Sequence, residues 1–285
     1  KFLPPSASIQ EQEFFREEYF ILQKLDHPNI IKSFELGKVF VKDDEEDFEI
    51  EKFSSFITME YFPPTSLLNY AGLKEEKKLN QIVKQICSVL YYLHQSNYIY
   101  YDLKAENILV SESNGSPIIK IIDLGFARYT VSDNENNIQG TPYYIAPELL
   151  KNDPHDYRVD FYSLGMLLYK IVYGKFPFIS DNELDIYKAH IEDEFVLGPS
   201  IYSKKLINVI SKLIKKKPEE RYENALQIIL DLQLPIDFGV VKDLVPAKVF
   251  SDRKDAFNIL NTYLNDNTSN EVFTVTGFDG SGKTS

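Results

Sequence analysis

The stretch Tyr101-Asp102-Leu103-Lys104-Ala105-Glu106-Asn107-Ile108-Leu109-Val110, taken with Ile121-Ile122-Asp123-Leu124-Gly125, decides the fold. Between the two apolar, β-branched runs lies Asn114-Gly115, a pair suited to the positive φ angles of a tight hairpin turn. The pattern predicts a β-hairpin centred near Gly115. Folding the chain there brings Asn107 and Asp123 to one open end, with Asp102 and Lys104 on the loop that enters it. Two carboxylates, an amide and an ammonium then converge. Hard oxygen donors of this kind suit Mg²⁺ held against a substrate's phosphates. A polar hairpin end with an Asx turn has the same local sequence, so these residues alone leave both readings open.

Outward from this stretch, short motifs follow in order over residues 1–232. They are His27-Pro28-Asn29-Ile30, Met59-Glu60-Tyr61, Gly140-Thr141-Pro142-Tyr143-Tyr144, Ala146-Pro147-Glu148, Asp160-Phe161-Tyr162-Ser163-Leu164-Gly165 and Pro218-Glu219-Glu220-Arg221. With Asp-Leu-Lys-x-Glu-Asn and Asp-Leu-Gly, the series resembles the catalytic domain of eukaryotic-type Ser/Thr protein kinases. The resemblance implies an α+β, two-lobed fold with a small β-rich lobe and a large helical lobe. It also implies ATP and Mg²⁺ as cofactors, and transfer of a γ-phosphoryl group to Ser or Thr of a protein substrate.

By the same resemblance, Asp102 orients the substrate hydroxyl or accepts its proton, Lys104 steadies the transferring phosphoryl group, and Asn107 and Asp123 hold the metal. Thr141 bonds the catalytic Asp and Lys. Glu148 and Arg221 join the activation segment, residues 123–148, to the helical lobe, and Asp160 supports the catalytic loop's backbone. Lys1 and Glu18 match the pair that grips the α and β phosphates; without the resemblance, Glu18 is a solvated charge among Glu11, Glu13 and Glu17. Backbone groups of Glu60 and Phe62 match the hinge that bonds adenine, with Met59 behind it. The family's glycine-rich loop is expected upstream of Lys1, and residues 1–285 alone are expected to transfer phosphate poorly.

Two motifs depart from the family pattern. Tyr100-Tyr101-Asp102 stands in place of His-Arg-Asp, and Leu124 replaces the phenylalanine after the metal-binding Asp. In the family that arginine receives the phosphate of the activation segment, so Tyr101 implies activity without such a phosphate. Thr130 and Ser132 are the nearest hydroxyls that could carry one. The same departure leaves open a catalytically weak module that binds partners and regulates an attached ATPase. Retention of Asp102, Lys104, Asn107 and Asp123 weighs against it.

Local patterns predict the remaining elements. Phe15, Tyr19, Leu22 and Leu25 mark one face of a helix that stops before His27-Pro28. Strands are expected over 30–41 and 53–60, an amphipathic helix over 78–94 and a buried helix over 161–173. The acidic run 43–47 is expected to be a solvated loop, and Lys215-Lys216-Lys217 a solvated helix end.

Residues 233–250, with Pro235 and Pro246, form the expected linker. A helix over 251–265 and a strand over 271–276 lead into Gly277-Phe278-Asp279-Gly280-Ser281-Gly282-Lys283-Thr284, a phosphate-loop pattern. Backbone N–H groups from Gly277 to Gly282 would cradle phosphates, Lys283 would reach β/γ oxygens and Thr284 would hold Mg²⁺. Residues 251–285 are expected to open an α/β P-loop NTPase domain. A kinase before a P-loop resembles bacterial signalling proteins in which a Ser/Thr kinase precedes an AAA-type ATPase and sensor domains of the same chain.

Composition narrows the classes. A net charge of -12 without a basic stripe argues against a nucleic-acid partner. The sole cysteine, Cys87, excludes an internal disulfide and suits a reducing, cytoplasmic setting. No apolar run reaches membrane-spanning length.

Overall fold

In the computed structural model, which describes residues 1–4, 6–39, 55–63, 65–129 and 141–236, the chain begins with strand β1 (Phe2–Leu3) and helix α1 (Ile9–Lys24). The acidic run 43–47, Thr130, Ser132 and the expected ATPase segment with Gly277, Gly282, Lys283 and Thr284 lie outside the described residues. Ser8 caps α1 in a reciprocal box with Glu11, satisfying two otherwise orphaned N–H groups. The helix buries Phe15, Glu18 and Leu22. Tyr19, expected on the same face, is only half-buried, and its hydroxyl reaches the Phe34 carbonyl at 3.5 Å.

Strands β2 (Ser33–Lys38) and β3 (Ser55–Met59) complete an antiparallel sheet of order β1-β3-β2. Strand β2 starts later than expected and β3 ends one residue sooner, while positions 40–41 and 53–54 of the expected strands lie outside the described residues. Ile30 and Ile31 are apolar but leave the sheet to form a parallel bridge to Ile121, with Ile31 N–H donating to the Ile121 carbonyl at 2.9 Å. Ile121 N–H in turn donates to the Asn29 carbonyl at 2.8 Å. This bridge ties the small sheet to the hairpin that carries the site.

The long helix α2 (Glu76–Gln95) follows, then β4 (Tyr98–Ile99). One face of α2 is fully withdrawn from water, including Leu79, Ile82, Ile86, Leu90 and Leu93. Burying each such side chain contributes about 1.5–3 kcal/mol. The helix packs on the segment Ala225–Asp231 and on the hairpin. That hairpin is β5 (Ile108–Ser113) and β6 (Ser116–Ile121), in register from Ile108↔Ile121 to Ser113↔Ser116. Asn114 and Gly115 take φ of 51° and 77°, as a type I′ turn requires. Strand β7 (Arg128–Tyr129) pairs with β4.

The rest is helical: α3 (Pro147–Leu150), α4 (Arg158–Tyr173), α5 (Glu183–Glu192), α6 (Lys204–Leu213) and α7 (Ala225–Asp231). Helix α4 is buried from Val159 to Tyr169 and is the axis of this lobe. Gly165 lets α6 approach, since a Cβ there would lie 2.8 Å from Leu213 Cβ. Gly174, at φ 72°, ends α4. Among the described residues no helix is long and apolar enough to cross a membrane.

Candidate active site

The site is built from Asp160 outward. Asp160 is fully buried in the first turn of α4, and its carboxylate accepts from Tyr100 N–H at 2.9 Å and Tyr101 N–H at 2.8 Å. His94 Nε2 lies 2.7 Å from the same carboxylate. These bonds hold an unusual turn. Asp102 N–H donates back to the Tyr100 carbonyl at 2.9 Å, with Tyr101 between them at φ 64°. Such a γ-turn is strained for any residue with a Cβ, at roughly 1–3 kcal/mol. Its effect is to aim the next side chain, Asp102.

Asp102 is buried, yet its carboxylate has three partners. Oδ2 accepts from Asn107 Nδ2 at 2.9 Å and lies 2.7 Å from Lys104 Nζ, while Oδ1 accepts from Thr141 Oγ1 at 2.8 Å. Lys104 Nζ also donates to Thr141 Oγ1 at 2.9 Å. The expected association of Thr141 with the Asp–Lys pair is therefore present. Asn107 spends its amide nitrogen on Asp102, including the backbone carbonyl at 3.0 Å, which leaves Oδ1 as its acceptor.

A second cluster joins the small lobe. Lys1 exchanges backbone bonds of 2.9 Å with Ile57, which fixes it in the ladder beside β3. Its Nζ lies 2.6 Å from Glu18 Oε2 and 3.1 Å from Asp123 Oδ2. Burial works against the ammonium, but the two carboxylates outweigh it and raise the Lys1 pKa. Glu18 is raised as well, by burial first and by Asp123 next, against the pull of Lys1. The two clusters meet at the hairpin's open end, where Ile122 N–H donates to the Asn107 carbonyl at 3.0 Å. Asp123 is fixed in turn by Gly125 N–H, which donates to its Oδ1 at 2.9 Å.

Asn107 and Asp123 offer an amide oxygen and a carboxylate, the hard donors that Mg²⁺ prefers. Among the described residues no three His, Cys, Asp or Glu side chains gather as a metal cage. A two-residue set fits an octahedral ion that completes its shell with water and substrate phosphates. Lys1 fits phosphate oxygens by charge.

Met59 ends β3, and Glu60 and Phe62 follow it without regular structure. The Glu60 side chain has a role that its motif did not reveal. Its Oε1 lies 2.5 Å from Lys120 Nζ and accepts from Lys32 N–H at 2.9 Å, while Lys120 also reaches the Ile30 carbonyl at 3.3 Å. The stretch after β3 is thereby pinned to the hairpin that carries Asn107.

Arg221 and Glu148 form a buried two-point pair at 2.6 and 2.8 Å. Arg221 also donates to the carbonyls of Lys215, Arg158 and Lys216 at 2.8, 2.9 and 3.1 Å, so all five of its N–H groups are used. Nearby, Lys216 departs from expectation. It is not a solvated helix end: Nζ donates to the Ala189 and His190 carbonyls at the end of α5 and stands 3.7 Å from the centre of the Phe195 ring. Burial brings its pKa down to about 8.

Several further contacts had no local signal. The Tyr101 hydroxyl meets His155 Nε2 at 3.0 Å, and burial, then Asp160, raises its pKa to about 12. Arg128 Nη1 stands 3.7 Å from Glu17 Oε2, and the guanidinium lies 4.9 Å from the centre of the Phe14 ring, joining β7 to α1. His190 Nε2 lies 2.8 Å from the Pro142 carbonyl and Nδ1 2.8 Å from the Tyr162 hydroxyl.

Comparison with known proteins gives a consistent result. The family described as "Protein kinase domain" matches residues 1–231. Calcium-dependent protein kinase 5 of Plasmodium berghei (strain Anka) is 36% identical over 200 residues, covering 69% of this chain and 33% of that protein. Serine/threonine-protein kinase Nek4 of Mus musculus is 31% identical over 225 residues, covering 76% and 26%. Serine/threonine-protein kinase PknB of Mycobacterium tuberculosis (strain ATCC 25177 / H37Ra) is 28% identical over 228 residues, covering 76% and 35%. The aligned part of the chain thus spans about a third or less of these relatives' length.

Proposed function

The chain belongs to the protein kinase domain family, and we propose that it transfers the γ-phosphoryl group of ATP to Ser or Thr hydroxyls of a protein substrate, with Mg²⁺. The observation that carries this reading is the joint placement of Asp102 against Lys104, Asn107 and Thr141, and of Lys1 between Glu18 and Asp123. When bound, ATP would supply the phosphoryl group and its leaving oxygen, and Mg²⁺ would neutralise phosphate charge.

The protein's part is positioning and charge. Asp102, held at three points, presents a carboxylate that orients the attacking hydroxyl and accepts its proton. Lys104 sits beside it, so charge that builds on the transferred group meets an ammonium already in place. Lys1, fixed by Glu18, would meet the α and β phosphates by charge, and Asn107 Oδ1 and Asp123 would hold the metal. Backbone groups of Glu60 and Phe62 would bond adenine, with Met59 behind it.

The P-loop of residues 277–284 completes the proposal. Gly277, Gly282, Lys283 and Thr284 belong to a second nucleotide site, in a bacterial, cytoplasmic, multidomain protein whose ATPase and sensor domains the kinase serves. Tyr101 in place of arginine favours a second reading, a weakly active regulatory module. The two readings differ in one assay. The full-length protein is incubated with ATP labelled at the γ position, Mg²⁺ and a mixed Ser/Thr/Tyr peptide library. Label on Ser and Thr supports the enzyme; no label above that of an Asp123→Asn variant supports the module.

A further inference from the structure

His190 stands on α5 with no surface open to water, in apolar company. The Phe178 ring meets it nearly at right angles with centres 4.7 Å apart, the Phe195 ring lies 6.4 Å away, and Ile186 and Ala189 are the other buried residues of α5. An aliphatic side chain would fill such a space without the cost of desolvating two ring nitrogens. The imidazole is tenable there because both nitrogens are bonded, and the partners decide which one carries the proton. The Pro142 carbonyl, 2.8 Å from Nε2, can only accept, so Nε2 holds the hydrogen. Burial keeps the ring neutral, with its pKa lowered to about 3, and Nδ1 is then an acceptor for the Tyr162 hydroxyl at 2.8 Å. Tyr162 is itself fully buried, which holds its hydroxyl protonated.

Both partners lead to Asp102. Pro142 directly follows Thr141, whose hydroxyl donates to Asp102 at 2.8 Å and accepts from Lys104 at 2.9 Å. The short turn that begins there is closed by one backbone bond, from Tyr144 N–H to the Thr141 carbonyl at 2.9 Å, and Pro142 has no N–H to add another. Tyr162 lies two positions along α4 from Asp160, which accepts from the N–H groups of Tyr100 and Tyr101. Helix α4 therefore reaches Asp102 by two routes. One runs through Asp160 to the strained turn before it, the other through Tyr162 and His190 to the threonine bonded to it. Among the described residues no other donor meets the Pro142 carbonyl. Tyr143 and Tyr144 have anchors of their own on Ser180 and Ser163, but both lie further along the chain from Thr141.

We infer that His190 is a positioning residue for phosphoryl transfer: by holding Pro142 through Nε2–H it sets Thr141 against Asp102 and Lys104, the pair proposed to meet the substrate hydroxyl. It acts through that turn and not on substrate or nucleotide. The inference rests on the protein-kinase reading for its effect on rate, whereas its hold on the turn does not require turnover.

The test compares His190→Gln, His190→Asn and His190→Leu in the full-length protein. The amide of His190→Gln reaches as far as Nε2, so it keeps a donor for Pro142 and gives up the acceptor for Tyr162. His190→Asn reaches only as far as Nδ1 and does the reverse, while His190→Leu suits the apolar surroundings and gives up both bonds. For peptide phosphorylation, kcat is expected to stay within about threefold of wild type in His190→Gln and to fall at least about tenfold in His190→Asn and His190→Leu, with KM for ATP changed less than about threefold throughout. Hydrogen exchange of the Tyr144 amide is expected to quicken about tenfold in the same two variants and to stay within about threefold in His190→Gln. Should His190→Asn not fold, His190→Leu carries the comparison. Imidazole NMR of the wild type, with His190 assigned by the signals lost in His190→Gln, is expected to show the Nε2–H form. An Nδ1–H form, equal losses of kcat in all three variants, or exchange indifferent to the Pro142 bond each overturns the inference. If the wild type transfers no phosphate, the kinase reading falls, and exchange and tautomer alone decide whether His190 holds the turn.

Discussion

Asp160→Asn is expected to disable the catalytic turn while leaving the fold in place. The carboxylate accepts from Tyr100 N–H, Tyr101 N–H and His94 at 2.9, 2.8 and 2.7 Å. Hydrogen bonds to a charged group are worth about 1.5–3 kcal/mol each. Asparagine keeps one acceptor oxygen and turns an NH₂ toward a donor, so one to two of these bonds are lost, or about 1.5–6 kcal/mol in all. A domain of this kind is stable by about 5–15 kcal/mol, so most molecules stay folded. The strain at Tyr101, roughly 1–3 kcal/mol, is then no longer offset. The turn relaxes and Asp102 shifts, and a misplacement of about 1 Å costs on the order of 100-fold in rate. Denaturant unfolding gives the stability loss, and initial phosphotransfer rates of the full-length protein at saturating ATP give kcat. Adding Tyr101→Gly to the variant should restore about 1 kcal/mol, because glycine takes positive φ without penalty. A stability loss below about 1 kcal/mol, with kcat within about threefold, would refute the claim that Asp160 holds a strained turn.

Three further outcomes follow from the same geometry. Glu148→Gln or Arg221→Met should each cost about 3–5 kcal/mol in denaturant unfolding, because each leaves a buried partner uncompensated, and replacing both by apolar residues should cost less than the two singles added. His27 and His190 are held neutral by burial, with pKa values lowered to about 4 and about 3. The unfolded chain therefore binds their protons first: their contribution is complete above about pH 6.5 and is lost as pH falls toward 4, on the order of 2 kcal/mol each by pH 5. NMR should show both rings neutral at pH 5 in the folded protein, and a ring titrating near 6.5 would contradict this. Thr130→Ala/Ser132→Ala should keep kcat within about tenfold, because Tyr101 is a neutral hydroxyl bonded to His155 and cannot offset a phosphate's charge of about -1.5 to -2. A larger loss, restored by acidic replacements, would assign the missing arginine's task to another cation.

The parts of this fold that were legible in sequence are those set by local chemistry. Asn114-Gly115 specifies its turn without help, and the 3.6-residue apolar period of α2 needs only a partner surface. Ser8 and Glu11, three residues apart, are a cap signal of the same local kind. What was hidden depends on distant partners. Ile30 and Ile31 extend an apolar run and read as strand, yet the hairpin edge at Ile121 takes their backbone instead. Lys216 sits in a run of three lysines that reads as solvated, but carbonyls at the end of α5 and the Phe195 ring draw it inward. Lys120 and Glu60 are 60 positions apart, and neither announces the other. Positive φ at Tyr101 runs against its residue type, and only the buried Asp160 makes it tenable. For the candidate site, the motifs named the residues; the structure supplied their distances.

The central claim is that Asp102 acts on the hydroxyl that receives the phosphoryl group, and not on the nucleotide. Its most direct test is Asp102→Asn in the full-length protein, measuring kcat for peptide phosphorylation beside Kd for ATP with Mg²⁺. Asparagine retains an acceptor for Asn107 or Thr141 but cannot take a proton. The account predicts a fall in kcat of about 10²–10⁴-fold with Kd changed less than about threefold. A kcat within about tenfold of wild type, or a loss carried mainly by weaker ATP binding, would contradict it.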